Sequence, residues 1–247
     1  MSIQNEHDLL CLKRIGSIVA EARETMIRAV RAGVTTKELD QIGGEILAKY
    51  GARSAPNITY DFPGHTCISV NHIVAHGIPD DTVLKNGDII NIDVSAELDG
   101  YFADTGASIV VGEGEAEKQS LCQCAEESLY KALDAAKAGS KLSQIGRIVH
   151  QEARKKGFTV VKNLTGHGIG KSLHEEPAYI LNYYDKKDRR LLTEGLVLAV
   201  ETFISTGTEY VDDGRDGWAL ITPDKSYVAQ YEHTIVITKG KPIILTA

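Results

Sequence analysis

Hydrophobic residues recur at helical spacing in four segments of this chain. In the first segment, apolar side chains fall three or four residues apart, and Asn5 precedes them as a candidate N-cap. In the second, Thr35 and Glu38 have the spacing of a capping box, and Gly51 is placed to end the helix. Two later segments repeat the pattern. The predicted helices cover about residues 7–31, 35–51, 116–137 and 143–156.

Short apolar runs between these helices predict β-strands, because they are rich in Val and Ile and are bounded by polar or glycine residues. Two of the runs are separated by Asp99 and Gly100, and an Asp-Gly pair between two such runs is a strong hairpin signal. Helices and strands together predict an α+β fold. The predicted strands lie near residues 67–71, 88–96, 101–111, 158–162, 196–204 and 228–238.

The order of features in the first part of the chain returns in the second part. The recurring landmarks are Gly33, Gly51, Gly87 and Asp93, matched in the same order and at similar intervals by Gly139, Gly157, Gly195 and Glu201. We therefore expect one domain over residues 1–247, built from two pseudo-symmetric α/β halves at about 7–112 and 113–240. Since pockets favour such junctions, the functional site is expected between the halves.

Carboxylates interrupt the most apolar of the predicted strands. Asp93, Glu201 and Glu232 each lie in a run of aliphatic residues, where a buried carboxylate is costly unless it is paired or binds a cation. The hairpin is expected to place Asp104 side by side with Asp93, and such a pair needs a cation or a proton. With His167 these acids form a ligand set that suits two divalent ions of the manganese, iron or cobalt type. Such a centre is typical of a hydrolase.

Each residue also has a plainer interpretation when it is taken singly. Asp93 could be a turn or helix-cap acid, Asp104 lies in an Asp-Thr-Gly sequence that is common in turns, and His167 lies among glycines that are typical of a tight turn. Glu201 and Glu232 would be satisfied by buried ion pairs with Lys or Arg. These alternatives stay open at the level of single residues.

The composition narrows the class of protein. The chain has 247 residues, 43% of them hydrophobic and 25% charged, with a formal net charge of −7. No apolar run reaches the roughly 18 residues of a membrane span, and the start lacks signal-peptide features, so we expect no membrane association and a cytoplasmic location. The four cysteines show no CxxC spacing, which argues against a zinc knuckle or a disulfide framework. The acidic balance argues against a nucleic-acid partner.

Six motifs in one order resemble the type I methionine aminopeptidases, from the first helix to Ile244. The resemblance implies the pita-bread (creatinase/aminopeptidase) fold, in which two related α/β halves surround a curved antiparallel sheet. The motifs are Val74-Ala75-His76-Gly77-Ile78-Pro79, Asn91-Ile92-Asp93, Asp104-Thr105, Gly166-His167-Gly168-Ile169-Gly170, His174-Glu175-Glu176-Pro177 and Gln230-Tyr231-Glu232-His233-Thr234.

The resemblance also implies a role for each ligand. Asp93 would chelate one metal ion, Asp104 and Glu232 would bridge both ions, and His167 and Glu201 would complete the second position. The ions would be cobalt, manganese or iron, with zinc and nickel as further candidates. A water molecule activated by both ions would attack the peptide bond after an N-terminal methionine. Glu201 is the expected proton shuttle.

Substrate contacts carry over from the resemblance as well. His174 would bind the substrate carbonyl and His76 would lie near the scissile nitrogen, although residue patterns alone leave a structural role equally open for both. The expected pocket for the methionine side chain is lined by Phe62, Cys67, Trp218, Thr59 and Leu173. The last two stand where many relatives carry Tyr and Phe.

One further departure is Thr202, which follows Glu201 where the family usually has Pro. Because proline fixes φ and lacks an N–H donor, threonine is expected to change the strand locally.

The implied enzyme is a metal-dependent methionyl aminopeptidase that acts in protein maturation. Its partners would be N-terminal methionine peptides and nascent chains with a small second residue, with transient ribosome association as an open option. We expect a monomer in the minimal catalytic form, without an N-terminal extension. Two alternatives stay open: a proline-directed peptidase of the same fold, and a binding module that has lost catalysis.

Overall fold

The computed structural model describes residues 1–247 and shows five helices and 13 strands. All four predicted long helices and all six predicted strands are present, with ends displaced by a few residues. The helices are α1 (Glu6–Ala29), α2 (Thr36–Lys49), α3 (Ala55–Tyr60), α4 (Ala116–Ala135) and α5 (Ser143–Lys155). The strands are β1 (Arg53–Ser54), β2 (Cys67–Val70), β3 (Ile73–Ala75), β4 (Ile89–Leu98), β5 (Tyr101–Val110), β6 (Thr159–Val160), β7 (Thr165–Gly168), β8 (Glu175–Leu181), β9 (Val197–Ser205), β10 (Asp212–Asp213), β11 (Leu220–Ile221), β12 (Val228–Val236) and β13 (Ile243–Ile244).

The helix caps follow the predicted chemistry. The Asn5 side chain accepts a hydrogen bond from the Asp8 amide at 3.0 Å and so caps α1. At the start of α2, Thr35 and Glu38 form the reciprocal capping box, in which each side chain binds the main-chain N–H of the other residue. Both devices satisfy N–H groups that the first helical turn leaves without partners.

A ten-stranded sheet with antiparallel pairing forms the centre of the fold. Its main path runs β1-β4-β5-β12-β9-β7-β8, with β2, β6 and β13 paired at the sides, while β10, β11 and β3 form a separate small sheet. The predicted hairpin joins β4 to β5 through Asp99 and Gly100, which both have positive φ, and ten residue pairs follow it.

The helices cover one face of this sheet in two pairs. Helices α1 and α2 share a hydrophobic core with β4 and β5, and α4 and α5 share a second core with β9 and β12. Each half thus runs from two helices to two long strands, in the order that the sequence repeat predicts. The α+β architecture is confirmed, and the boundaries of the halves near residue 112 stay a prediction. None of the helices combines the length and hydropathy of a membrane span.

The two halves meet between β5 and β12, which we call the seam. Only one residue pair, Ala107 with Tyr231, is in ladder register there, whereas β9 and β12 share nine such pairs. Next to this pair, threonine side chains take the place of main-chain bonds. The Thr105 hydroxyl donates to the Glu232 carbonyl at 2.9 Å, and the Thr234 hydroxyl donates to the Asp104 carbonyl at 2.7 Å.

The last residues of the chain return to the first helix. Strand β13 pairs with β12, and Leu245 then enters the core of the α1 half. Helix α1 presents Gly16 at this contact, where an added Cβ would lie 2.4 Å from the Leu245 carbonyl oxygen. Glycine is therefore required for the close approach of these two segments.

Candidate metal centre

The five predicted ligands line one cavity of about 420 Å³ on the sheet face opposite the helices. Side chains alternate between the two faces of a strand, so Asn91, Asp93 and Ser95 of β4 face the cavity while Ile92 and Val94 enter the helix-side core. The same alternation places Glu201 in the cavity and Val200 in the opposite core. Acids in apolar runs are therefore explained by strands with one apolar and one polar face.

Strand register places two of the acids close together within each half. On β12 and β9, Glu232 lies directly opposite Glu201. On the β4–β5 hairpin, Asp104 lies opposite Ser95, so it is the diagonal neighbour of Asp93 and not its direct partner. The predicted side-by-side arrangement is corrected to this diagonal one, in which each carboxyl group still influences the pKa of the other.

A tight group of three ligand atoms occupies the middle of the cavity. One side-chain atom each from Asp104, His167 and Glu232 lies within 4.8 Å of the others. The His167 Nδ1 lies 3.0 Å from the Gly168 carbonyl oxygen. Because a carbonyl only accepts, Nδ1 carries the proton and the Nε2 lone pair faces Asp104. This is the tautomer that a metal ligand requires.

Two buried carboxylate oxygens have no hydrogen-bond partner: Asp104 Oδ1 and Glu232 Oε1. Buried polar atoms are nearly always satisfied, so these two indicate a missing partner. No Lys or Arg lines the cavity, which excludes the ion-pair interpretation of Glu201 and Glu232. The donor set of oxygens and one imidazole therefore fits divalent cations.

Electrostatics supports the same conclusion. Burial raises the pKa of Asp93, Glu201 and Glu232 well above its ordinary value, with repulsion from neighbouring acids adding to it. Burial also raises the pKa of Asp104 to about 6. It lowers the pKa of His167 to about 3, so that imidazole stays neutral. Carboxyl groups that resist ionisation without a counter-charge are the groups that a bound cation would stabilise.

Glu232 has a supporting network that the sequence did not reveal. The Gln230 amide donates to Glu232 Oε2 at 2.8 Å, and Asn91 donates to the Gln230 Oε1 at 2.7 Å. Gly106 leaves the space for this amide, because an added Cβ would lie 2.2 Å from Gln230 Oε1. The only signal was a glutamine two residues before the acid, on the same face of a strand.

Two further histidines open into the cavity, as predicted. His76 has a left-handed backbone with φ of 55°, and burial lowers the pKa of its ring. The His174 ring lies 4.2 Å from the His167 ring, measured between centroids. Its Nδ1 is 2.7 Å from the Tyr60 hydroxyl, a contact that sequence reasoning missed.

An apolar pocket adjoins these histidines. Phe62, Cys67, Leu173 and Trp218 all line it, and the rings of Phe62 and Trp218 meet edge to face at 5.2 Å. Burial raises the pKa of the Cys67 thiol well above its usual range, so the sulfur is a neutral part of the wall.

The placement of Thr59 in this pocket was wrong. Thr59 is exposed and does not line the cavity, whereas the next residue, Tyr60, does. Helix α3 ends at Tyr60, and Asp61 follows in the left-handed conformation with φ of 58°. The residue pattern does not show where this short helix ends, so the pocket position was assigned to Thr59 instead of Tyr60.

Thr202 does not disturb its strand. Strand β9 is continuous from Val197 to Ser205, and Thr202 keeps its register with Tyr231 on β12. Its hydroxyl lies 3.2 Å from the Ala125 carbonyl oxygen and 3.3 Å from that of Tyr231. The expected local change is therefore absent.

Comparison with known proteins agrees with this geometry. The model of metallopeptidase family M24 matches residues 10–239. Methionine aminopeptidase 2 of Bacillus subtilis (strain 168) is 58% identical over 247 residues, covering 100% of this chain and 99% of that protein. Methionine aminopeptidase of Escherichia coli (strain K12) is 39% identical, covering 100% of this chain and 94% of that protein.

Solved structures show the same fold. A methionine aminopeptidase from Thermotoga maritima superimposes with a TM-score of 0.96 at 33% identity, covering 100% of this chain and 99% of that one. A prolidase from Pyrococcus furiosus gives a TM-score of 0.80 at 23% identity, with 99% of this chain matched to 65% of that one. The second likeness shows the fold alone. The predicted pita-bread fold and the family resemblance are confirmed.

Proposed function

Because the chain belongs to metallopeptidase family M24, we propose that it removes the N-terminal methionine from peptides and nascent proteins by metal-dependent hydrolysis. One observation carries the proposal: buried carboxylate oxygens of Asp104 and Glu232 without partners lie beside an apolar pocket lined by Phe62 and Trp218. The first feature supports a cation centre, and the second supports an unbranched apolar side chain such as methionine.

Two divalent ions would be held by five side chains, with Asp104 and Glu232 shared between them. We propose cobalt, manganese or iron as the metal, with zinc and nickel as further candidates. When bound, the ions would supply the positive charge that activates water near neutral pH and polarises the scissile carbonyl. The full ligand set is Asp93, Asp104, His167, Glu201 and Glu232.

The protein's own groups would move the proton and hold the substrate. Glu201 lines the cavity, and desolvation raises the pKa of its carboxyl, which suits a group that accepts a proton and passes it to the leaving amine. If the Tyr60 hydroxyl donates to Nδ1 of His174, the Nε2–H of that ring is free to donate to the substrate carbonyl oxygen. We propose that His76, which also lines the cavity, contacts the scissile nitrogen.

Specificity would come from the pocket and from crowding near the metal centre. Contacts of a methionine side chain with Phe62, Leu173 and Trp218 would supply roughly 1–3 kcal/mol of discrimination. A bulky second residue would press on the ligand cluster, so we propose a preference for small second residues. We further propose a cytoplasmic monomer that acts in protein maturation on N-terminal methionine chains, with transient ribosome association.

The test is hydrolysis of Met-Ala-Ser by metal-stripped protein, with and without manganese or cobalt. Release of free methionine that depends on added metal, and is at least tenfold slower with Met-Leu-Ser, is the expected result. An Ala-Pro dipeptide serves as the control for a proline-directed peptidase. If the protein binds metal but releases no methionine, the proposed substrate is wrong. If it binds no metal, the proposed metal centre is wrong.

A further inference from the structure

The two acids that are shared in the proposed centre belong to different halves, and the strands that carry them are barely paired. Asp104 lies on β5 and Glu232 on β12, where the ladder shows one registered residue pair. On their outer sides both strands are fully paired, with ten pairs between β4 and β5 and nine between β9 and β12. Main-chain pairing therefore fixes each acid within its half but not across the seam.

Two threonine hydroxyls hold the seam at the ligands themselves. Thr234 accepts a hydrogen bond from the Asp104 amide at 2.9 Å and donates to the Asp104 carbonyl at 2.7 Å. Thr105, which follows Asp104, donates to the Glu232 carbonyl at 2.9 Å. Both threonines are fully buried. We call Thr105 and Thr234 the threonine clamp, because each reaches across the seam to the main chain of a ligand on the other strand.

A buried guanidinium orients one hydroxyl of the clamp. Arg23 of α1 is 3% exposed and donates through Nη1 to the Thr105 hydroxyl. Arginine only donates, so the Thr105 oxygen must accept this bond and its own proton is left for the Glu232 carbonyl. The orientation of the Thr105 hydroxyl is thus set by a residue of α1, on the helix side of the sheet.

We propose that the threonine clamp positions Asp104 and Glu232 relative to each other, and so controls binding of the second of two divalent cations. This inference rests on the proposed two-metal centre. Either cation alone would use Asp104 and Glu232 and could adapt to a small change in their separation, whereas two cations would occupy both oxygens of each acid at once and would tolerate less change. Because that separation is set by two hydroxyls, loss of either should weaken the second site more than the first.

Isosteric variants of the clamp test the proposal. Thr105→Val and Thr234→Val remove the hydroxyl and keep the shape, while Thr105→Ser and Thr234→Ser keep the hydroxyl. Thr202→Val is the matched control, since Thr202 is also buried and bonds main-chain carbonyls, but in a fully paired strand. Metal-stripped proteins are titrated with Mn²⁺ by calorimetry. The spin-coupled Mn²⁺ signal is recorded by electron paramagnetic resonance, and the unfolding temperature without metal is measured alongside.

The expected result is a second-site affinity at least tenfold weaker in both Val variants, with loss of the coupled signal and retention of the first site. The Ser variants and Thr202→Val should match wild type. Val variants with a lower unfolding temperature but two wild-type sites would overturn the proposal, because the hydroxyls would then be only structural.

Two further outcomes distinguish failure of the clamp proposal from failure of the two-metal function and from misfolding of the variants. If wild type itself binds no second Mn²⁺, the proposed two-metal function fails and the clamp has nothing to control. If the Val variants do not fold, the test uses Arg23→Leu, which removes the donor to the Thr105 hydroxyl and leaves both clamp threonines in place. A second site weakened two- to fivefold in that variant supports the clamp, and unchanged affinity overturns it.

Discussion

Replacing Asp104 by asparagine should make the metal-free protein more stable, although it damages the proposed metal centre. Asp104 is buried among three other acids, and one of its oxygens has no hydrogen-bond partner. The isosteric amide keeps the shape of the side chain and removes its charge. The variant therefore measures how much the charge of Asp104 destabilises the native state, with little change in packing.

The magnitude follows from the pKa of this carboxyl. It is about 6 in the folded protein against an ordinary value of 3.8. At about 1.36 kcal/mol per pH unit, ionisation of Asp104 destabilises the native state by about 3 kcal/mol at neutral pH. A buried amide is not free of cost, so we expect a net gain of about 1–3 kcal/mol. For a chain of this size that is a rise of roughly 2–12 °C in the unfolding temperature.

The pH dependence fixes the sign of the effect. Because the folded pKa lies above the unfolded value, the native state of wild type keeps a proton that the unfolded state loses as pH rises from about 4 to 6. Wild type therefore loses stability through this window, whereas Asp104→Asn lacks this contribution. The two proteins should be about equally stable at pH 4, and the gap should reach its full size above pH 6.

Calorimetric unfolding in EDTA and in Mn²⁺ is the assay. At metal concentrations near 100 times Kd, the free energy of unfolding of wild type should rise by about 2.7 kcal/mol and that of the variant by much less. The difference in stability between the two proteins should therefore shrink or change sign. Asp99→Asn is the control, since Asp99 lies exposed at the hairpin in a left-handed conformation that asparagine tolerates. A variant less stable than wild type in EDTA at pH 7.5 would refute the reasoning.

Three other substitutions test the substrate side of the cavity. Tyr60→Phe removes the hydroxyl bonded to His174 and should lower kcat/KM about 3- to 10-fold with an unchanged Mn²⁺ titration; weaker metal binding would contradict a role confined to substrate. Thr59→Ala should leave kcat/KM within about twofold in a Met-Ala-Ser assay, because its side chain is exposed, and a larger loss would place it in the pocket after all. Phe62→Ala removes a buried wall of the pocket and should raise KM while destabilising the fold by about 3–5 kcal/mol in calorimetric unfolding; an unchanged KM would argue that the methionine side chain binds elsewhere.

The sequence was sufficient for the long elements because their signals are local. Helix periodicity, the Thr35–Glu38 capping box and the Asp99-Gly100 turn each depend on residues a few positions apart. The ligand set was predictable for a similar reason, since an acid within an aliphatic strand is conspicuous without knowledge of its neighbours.

Features that depend on neighbours in space were missed. Strands β7 and β8 were not predicted, and β7 consists of Thr165, two glycines and His167, a composition that is typical of a turn. The diagonal offset of Asp93 and Asp104 depends on hairpin register, and the choice between Thr59 and Tyr60 depends on where a short helix stops. The contacts of Gln230 and of the threonine clamp join strands far apart in sequence.

The contact between Gly16 and Leu245 has a consequence for the order of folding. The core of the first half contains Leu245, together with Val197 and Val236 from strands of the second half. Helix α1 therefore cannot complete its packing until Leu245 has been synthesised, and the two halves cannot fold one after the other as independent units. Contacts of such long sequence separation slow folding, since loop closure must precede the gain from packing. We infer that the two halves, which look like separate modules in the sequence, fold as one cooperative unit that is completed when Leu245 packs against α1.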